Sequence, residues 1–252
     1  MTDFFDENKG SGKIKAVIFD LWETLVEDKG NEEVERDTAR ADFIIQTLKL
    51  PADLKPQVLD FFAMLSNAFR NPTSENEWSL VPETQIDHLI RLLDLKVGKK
   101  DFDKIYEFYT ESLLDNPPTF TEECVPSVLD SLSSRYKLAL ISNTGRSPGK
   151  TLLRMLQRMR INKYFKVFSF SDELLLRKPD ARIFEITISK LGILPNEAVH
   201  IGDSHKMDFL GAQSAGVNPI LYAKDIELPT VAPFVKSHLD DEKVIRDNYD
   251  TN

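Results

Sequence analysis

Four places in this chain bring together residue types that can act on a charged substrate. The apolar run IKAVIFD (residues 14–20) ends in Asp20, YKLALISN (136–143) ends in Ser142-Asn143 followed by Thr144, and EAVHIGD (197–203) ends in Asp203 followed by Ser204. Lys178 lies between the run KVFSF (166–170) and the helical pattern that follows it. If these runs are strands of one open parallel sheet, their carboxyl ends share an edge, and ligands bind outside that edge. Two carboxylates, a hydroxyl, an amide and an ammonium would then converge. Carboxylates drawn together repel, and need a cation between them or a raised pKa on one. A hard divalent ion with oxygen ligands, Mg²⁺, meets that need and keeps coordination positions for water and a phosphoryl oxygen. Singly, each residue has a duller reading: strand-ending aspartates form turns and caps, lysines are ordinarily solvated, and Ser142-Asn143 can simply turn a loop. Their succession along the chain argues for a site. His88, His200, His205 and His238 show no metal-ligand spacing, and His205 is expected as a loop residue beside the site.

The elements that must position these groups are legible as patterns. Five apolar runs rich in Val, Ile, Leu or Phe, the fifth being NPILYA (218–223), alternate with helical segments. That alternation predicts βαβ units and an α/β fold, a Rossmann-like doubly wound, mostly parallel sheet. FVKS (234–237) is expected to add an edge strand. Residues 30–115 break the alternation with four helical stripes: Val34, Ala41, Ile44, Ile45 and Leu48; Val58, Phe61, Phe62, Leu65 and Phe69; Ile86, Leu89, Ile90 and Leu93; Phe102, Ile105, Tyr106, Tyr109 and Leu113. They predict an inserted all-helical cap domain with its own core, in which the aromatic residues are core rather than ligand contacts. The expected division is a tail over 1–13, an α/β core over 14–27 and 120–240, a cap over 28–119 and a polar tail over 241–252, with crossings at Glu27–Gly30 and Asn116-Pro117-Pro118. Pro179 and Asp180 open a helix that Gly192 ends, and residues 208–215 read as a helix stopped by Gly216, in which Gly211 is expected to allow close packing on the sheet.

Bulk properties bound the partners. The chain has 252 residues, 41% of them hydrophobic, a net charge of −9 and a pI near 5.1. An acidic chain of this size argues against a nucleic-acid partner, and no run approaches the ~18 apolar residues of a membrane span. The polar, acidic start does not read as a secretion signal. Lone Cys124 has no internal disulfide partner. The expectation is a cytoplasmic protein acting on a small molecule.

The motifs in order resemble those of the haloacid dehalogenase superfamily, in the subgroup with a helical cap after the first strand, over residues 14–238. FDLWETL resembles the first motif, LALISN the second, RKPDARIF the third and HIGDSHKMDFLGAQSAGV the fourth. The resemblance implies Asp20 as nucleophile with Thr24 as its supporting hydroxyl, and Ser142, Asn143 and Lys178 on the substrate phosphate. It also implies Asp20, Asp203 and the Trp22 backbone carbonyl on Mg²⁺, with Ser204 and Asp208 supporting. An aspartyl-phosphate would split one slow hydrolysis into two displacements.

One position departs from the family's phosphatases, which carry an acid–base aspartate two residues after the nucleophile, where this chain has Trp22. Indole donates one hydrogen bond but cannot exchange protons at neutral pH. Three readings follow. One is a Mg²⁺-dependent phosphatase for a small phosphorylated metabolite, slowed or using another donor such as Glu23. A second is a 2-haloacid dehalogenase-like hydrolase, whose relatives place an aromatic residue here, with Arg36 or Arg40 on a substrate carboxylate unless they are merely solvated. A third is a catalytically silent binding protein. Asp203 and Asp208 favour the first, because dehalogenases need no metal.

Overall fold

Near-continuous Val, Ile, Leu and Phe runs belong to strands covered on both faces, and the computed structural model, which describes residues 13–71 and 73–222, puts them there. β1 (Ala16–Phe19) is the centre of a five-stranded sheet. β4 (Lys137–Ser142) and β5 (Phe165–Phe170) lie on one side of it, β6 (Ala198–Gly202) and β7 (Asn218–Leu221) on the other, every pairing parallel. The five expected runs are these five strands. FVKS lies outside the described residues.

Alternation within the strands divides the core. Val17, Phe19, Leu138 and Leu140 face α5 (Val125–Ser133) and α6 (Gly149–Arg158), whereas Ala16, Ile18, Ala139 and Ile141 face α8 (Ala181–Leu191) and α9 (Leu210–Ser214). Each fully buried large side chain here contributes roughly 1.5–3 kcal/mol of apolar transfer. Asp180 caps α8 by accepting from the Arg182 amide at 3.0 Å, and Gly192 ends it in the left-handed region at φ 66°. The expected helix over 208–215 is instead a π-helical turn, His205–Phe209, leading into the short α9. A Cβ on Gly211 would lie 3.0 Å from Phe184 and 3.1 Å from the Pro179 backbone, so its close approach is to α8 and the loop before it rather than to the sheet.

Between β1 and β4 stand α1 (Glu32–Leu48), α2 (Lys55–Arg70), α3 (Pro82–Leu92) and α4 (Lys99–Glu111), packed around Ala41, Ile44, Phe61, Phe62, Leu65, Ile86, Ile105 and Tyr109. A two-stranded antiparallel ribbon, β2 (Val26–Glu27) with β3 (Thr119–Phe120), holds the start and end of this insertion together beside the two expected crossings. Two-residue strands carry no periodicity, so the ribbon left no trace in the pattern. Val34 is 65% exposed while Arg36, Asp37 and Arg40 are buried, so the first turns of α1 turn charge inward, opposite to the expected stripe. A short α7 (Ser171–Leu174) follows β5. Among the described residues, no helix is long and apolar enough to cross a membrane.

Candidate active site

The site is assembled from chain ends that the sheet brings side by side. Asp20 follows β1, and its backbone amide donates to Ile201 O of β6 at 2.9 Å, which fixes the residue against the neighbouring strand. Lys178 Nζ donates to Asp20 Oδ1 at 2.5 Å and to Asp208 Oδ1 at 2.6 Å, all three side chains being buried. Asp208 also takes the Ser204 backbone amide at 3.0 Å and lies 2.8 Å from His200 Nε2. Gly202 is required here, because a Cβ on it would fall 2.3 Å from the Asp208 carboxyl carbon. Asp203, at the exposed edge, completes a set of three carboxylates whose nearest oxygens lie within 4.8 Å of one another.

Electrostatics follow from burial and neighbours. Burial pushes Asp20 up to about 7 against the pull of Lys178, with Asp208 and Asp203 adding to the rise. Asp203 is raised by burial and by Asp208. Burial opposes the charges of Lys178 and Asp208, yet the pull of Asp20 and Asp208 holds the ammonium above its ordinary value, and that of Lys178 with the His200 hydrogen bond holds the Asp208 carboxyl below its own. Burial lowers His200, which therefore stays neutral and donates to Asp208. Three carboxylates facing one ammonium leave two negative charges without compensation once ionised, the charge of one divalent cation.

Side chains without partners mark where a ligand fits. Ser142 Oγ and Thr24 Oγ1 are buried with no hydrogen-bond partner among the described residues, a condition that costs about 1–3 kcal/mol each. Thr24 thus forms no bond to Asp20, and its carbonyl instead accepts from Thr121 Oγ1 at 3.0 Å. The Asn143 carboxamide is already committed: it donates to Lys178 O at 3.0 Å and accepts from Lys178 N at 2.8 Å. The carboxamide thus clamps the Ser142 and Lys178 loops together. Ser204 Oγ accepts from the Met207 amide at 3.2 Å, so it starts the π turn that carries Asp208. Trp22 is half-buried against the core, and its carbonyl accepts no hydrogen bond from the described residues, while the Leu21 carbonyl takes both Leu25 N and Val26 N. Glu23, next to it, sits in the left-handed region at φ 56°. Mg²⁺ fits this donor set: hard carboxylate and carbonyl oxygens, a surplus of negative charge, and close spacing.

Next to these groups a cleft of about 430 Å³ opens between the strand ends and the helical insertion, with Trp22, Asn143, Arg70 and Arg177 among its lining. Arg36 and Arg40 line it, but neither is solvated or free for a substrate. Arg36 is paired with Asp28 and donates to Asn116 O at 2.8 Å; Arg40 pairs with Asp37 at 2.8 Å and donates to Tyr109 O at 3.0 Å. Arg146, from the loop after β4, reaches into the helices: it pairs with Asp37 at 2.7 Å, donates to Phe62 O and Ser66 Oγ at 2.9 Å each, and lies over the Phe62 and Phe69 rings. His200 and Arg146 were missed by sequence reasoning. A histidine inside an otherwise apolar strand signals a buried polar partner, which the absence of metal spacing obscured; NTGRSPG carries no comparable signal.

The model of the haloacid dehalogenase-like hydrolase family matches residues 52–222. The chain belongs to this family. Among curated proteins, it is 29% identical over 178 residues to a phosphorylated carbohydrates phosphatase of Thermotoga maritima, covering 67% of this chain and 78% of that one. It is 27% identical to a glyceraldehyde 3-phosphate phosphatase of Methanothermobacter thermautotrophicus, covering 84% and 87%. In fold it resembles a haloacid dehalogenase-family phosphatase of Thermococcus onnurineus (TM-score 0.58, 22% identity, 83% and 86% covered). It equally resembles a 2-haloacid dehalogenase of Pseudomonas syringae (TM-score 0.61, 21% identity, 83% and 86% covered). Members of the family with different chemistry thus share this sheet and insertion, so the choice of reaction rests on the side chains.

Proposed function

We propose that this haloacid dehalogenase-like hydrolase is a Mg²⁺-dependent phosphatase for a small phosphorylated metabolite. The observation that carries the reading is the cluster of Asp20, Asp203 and Asp208 around a single Lys178, beside the unpartnered Ser142 hydroxyl. A dehalogenase attacks carbon and has no use for so much acid, whereas a phosphoryl group brought against it needs a cation. The phosphatase names of the relatives at 29% and 27% identity point the same way.

Asp20, Asp203 and the Trp22 carbonyl would hold Mg²⁺, which when bound supplies positive charge to the phosphoryl oxygens and lets Asp20 ionise. Ser142 Oγ donates to a phosphoryl oxygen, and Lys178 neutralises charge on the nucleophile and the phosphoryl group. The Asp20 carboxylate oxygen attacks phosphorus as the ester bond breaks, giving an aspartyl-phosphate and an alkoxide that takes a proton. Water then attacks phosphorus, the bond to Asp20 breaks, and inorganic phosphate leaves. Lys178 and His200 together keep Asp208 ionised, and Asp208 with Asn143 keeps Lys178 in place. Trp22 cannot serve the two proton transfers, which sets the rate: positioned acid–base catalysis is worth ~10²–10⁴-fold. Esters with good leaving groups are therefore favoured.

Hydrolysis of p-nitrophenyl phosphate with Mg²⁺, abolished by EDTA and restored by added Mg²⁺, is the expected result. Activity unaffected by EDTA would remove the metal. The second reading, a dehalogenase, is favoured by the aromatic Trp22. Halide release from 2-chloropropionate without phosphate-ester hydrolysis would install it instead.

A further inference from the structure

A chain of net charge −9 gathers five arginines on one cleft. Three have carboxylates in contact: Arg36 with Asp28, Arg40 with Asp37, and Arg146 with both Asp37 and Glu33. The other two do not. Arg177 donates to Ser79 Oγ at 3.0 Å, Asn76 Oδ1 at 2.8 Å and Thr73 O at 3.3 Å, all neutral acceptors. Exposed Glu77 acts on it from beyond ion-pair distance. Arg70 ends α2 at the exposed rim of the cleft and forms no ion pair among the described residues. The two belong to one corner of the cleft, since Thr73, which Arg177 holds, is three residues beyond Arg70.

Neutral acceptors orient the half-buried Arg177 guanidinium without cancelling its charge, and with no carboxylate at ion-pair distance among the described residues it is stabilised by an anion that arrives. The corner is also fixed relative to the reaction centre. Arg177 immediately precedes Lys178, whose backbone amide and carbonyl are both clamped by Asn143 and whose ammonium touches Asp20. We propose that Arg177 and Arg70 form a second anion subsite, which takes a carboxylate or a second phosphate carried by the substrate at the end away from its scissile phosphate. This rests on the phosphatase reading and narrows its substrate class to doubly anionic metabolites small enough for the cleft.

Three esters on a three-carbon skeleton test it: glycerol 3-phosphate, with a neutral far end; 3-phosphoglycerate, with a carboxylate; and 1,3-propanediol bisphosphate, with a second phosphate. One or both of the latter are expected to show kcat/KM about tenfold or more above glycerol 3-phosphate, a difference of ~1.4 kcal/mol, carried by KM. Whichever leads identifies the group. Arg177→Met and Arg70→Met should each pull the preference toward unity, and Arg177→Lys should retain part of it, keeping the charge but not the planar fork. Arg177 also holds the 73–79 segment, so Arg70→Met, which breaks no bond among the described residues, is the deciding variant; an unchanged preference there overturns the subsite. Equal kcat/KM for all three esters in the wild type also overturns it while leaving a phosphatase. Hydrolysis of p-nitrophenyl phosphate but of none of the three overturns the subsite alone; hydrolysis of neither overturns the phosphatase reading and the subsite with it.

Discussion

The acidic cluster at the strand ends and the arginine cleft beside it are built on opposite terms. In the first, negative charge exceeds positive, Asp20 is pushed up to about 7, and two hydroxyls lie buried without partners. In the second, cations exceed anions, and most are tied down: a single carboxylate, Asp37, bridges Arg40 and Arg146. The cluster stores an electrostatic deficit that a ligand repairs. The cleft is largely satisfied, and so sets the position of the helical insertion over the site. Poor local compensation next to good compensation is the difference expected between a reacting centre and its frame.

The comparison can be broken most sharply at the nucleophile. Asp20→Asn should lower phosphatase turnover by roughly 10⁴-fold or more while leaving thermal stability unchanged or raised, because one of three crowded carboxylates is removed; retained turnover in a steady-state assay would remove Asp20 from the chemistry. Trp22→Asp should act in the other direction, raising kcat by about 10²-fold if a proton shuttle is the missing part. An unaltered kcat would mean that the cleft beside Trp22 does not admit a leaving group to that position. The frame should respond in stability instead. Arg146→Met strips Asp37 of one partner and frees Phe62 O and Ser66 Oγ in a region where the arginine is only 7% exposed. Breaking a buried pair of this kind costs about 3–5 kcal/mol, to be read as a lower denaturation midpoint. A midpoint within error of wild type would show that the cleft's ion pairs hold nothing in place.

Legibility divided along the same line. The strands, the helical insertion and the residues at the strand ends were readable because apolar periodicity and a fixed motif order are local properties. Asp20, Ser142, Lys178 and Asp203 needed only the rule that parallel strands present their carboxyl ends on one edge, whereas Asp208 was implied by the resemblance of HIGDSHKMDFLGAQSAGV to the family's fourth motif. That the Asn143 side chain clamps the backbone of Lys178 was not legible, since no spacing encodes that contact. Arg36 and Arg40 looked like solvated or substrate-facing residues because the contacts that bury them, to Asn116 O and Tyr109 O, come from the far end of the insertion, although the Asp37–Arg40 pair is three residues apart on one helix.

By itself the sequence determined the order of strands and helices, the helical insertion after the first strand, and the chemical types delivered to the sheet edge, since these depend on periodicity and on residues close along the chain. Tertiary structure alone decided which charges are compensated. The pairs that decide the site, Lys178 with Asp20 and Asp208 and Arg146 with Asp37, join segments far apart in sequence, and their distances of a few ångströms exist only once the sheet and the inserted helices have packed together.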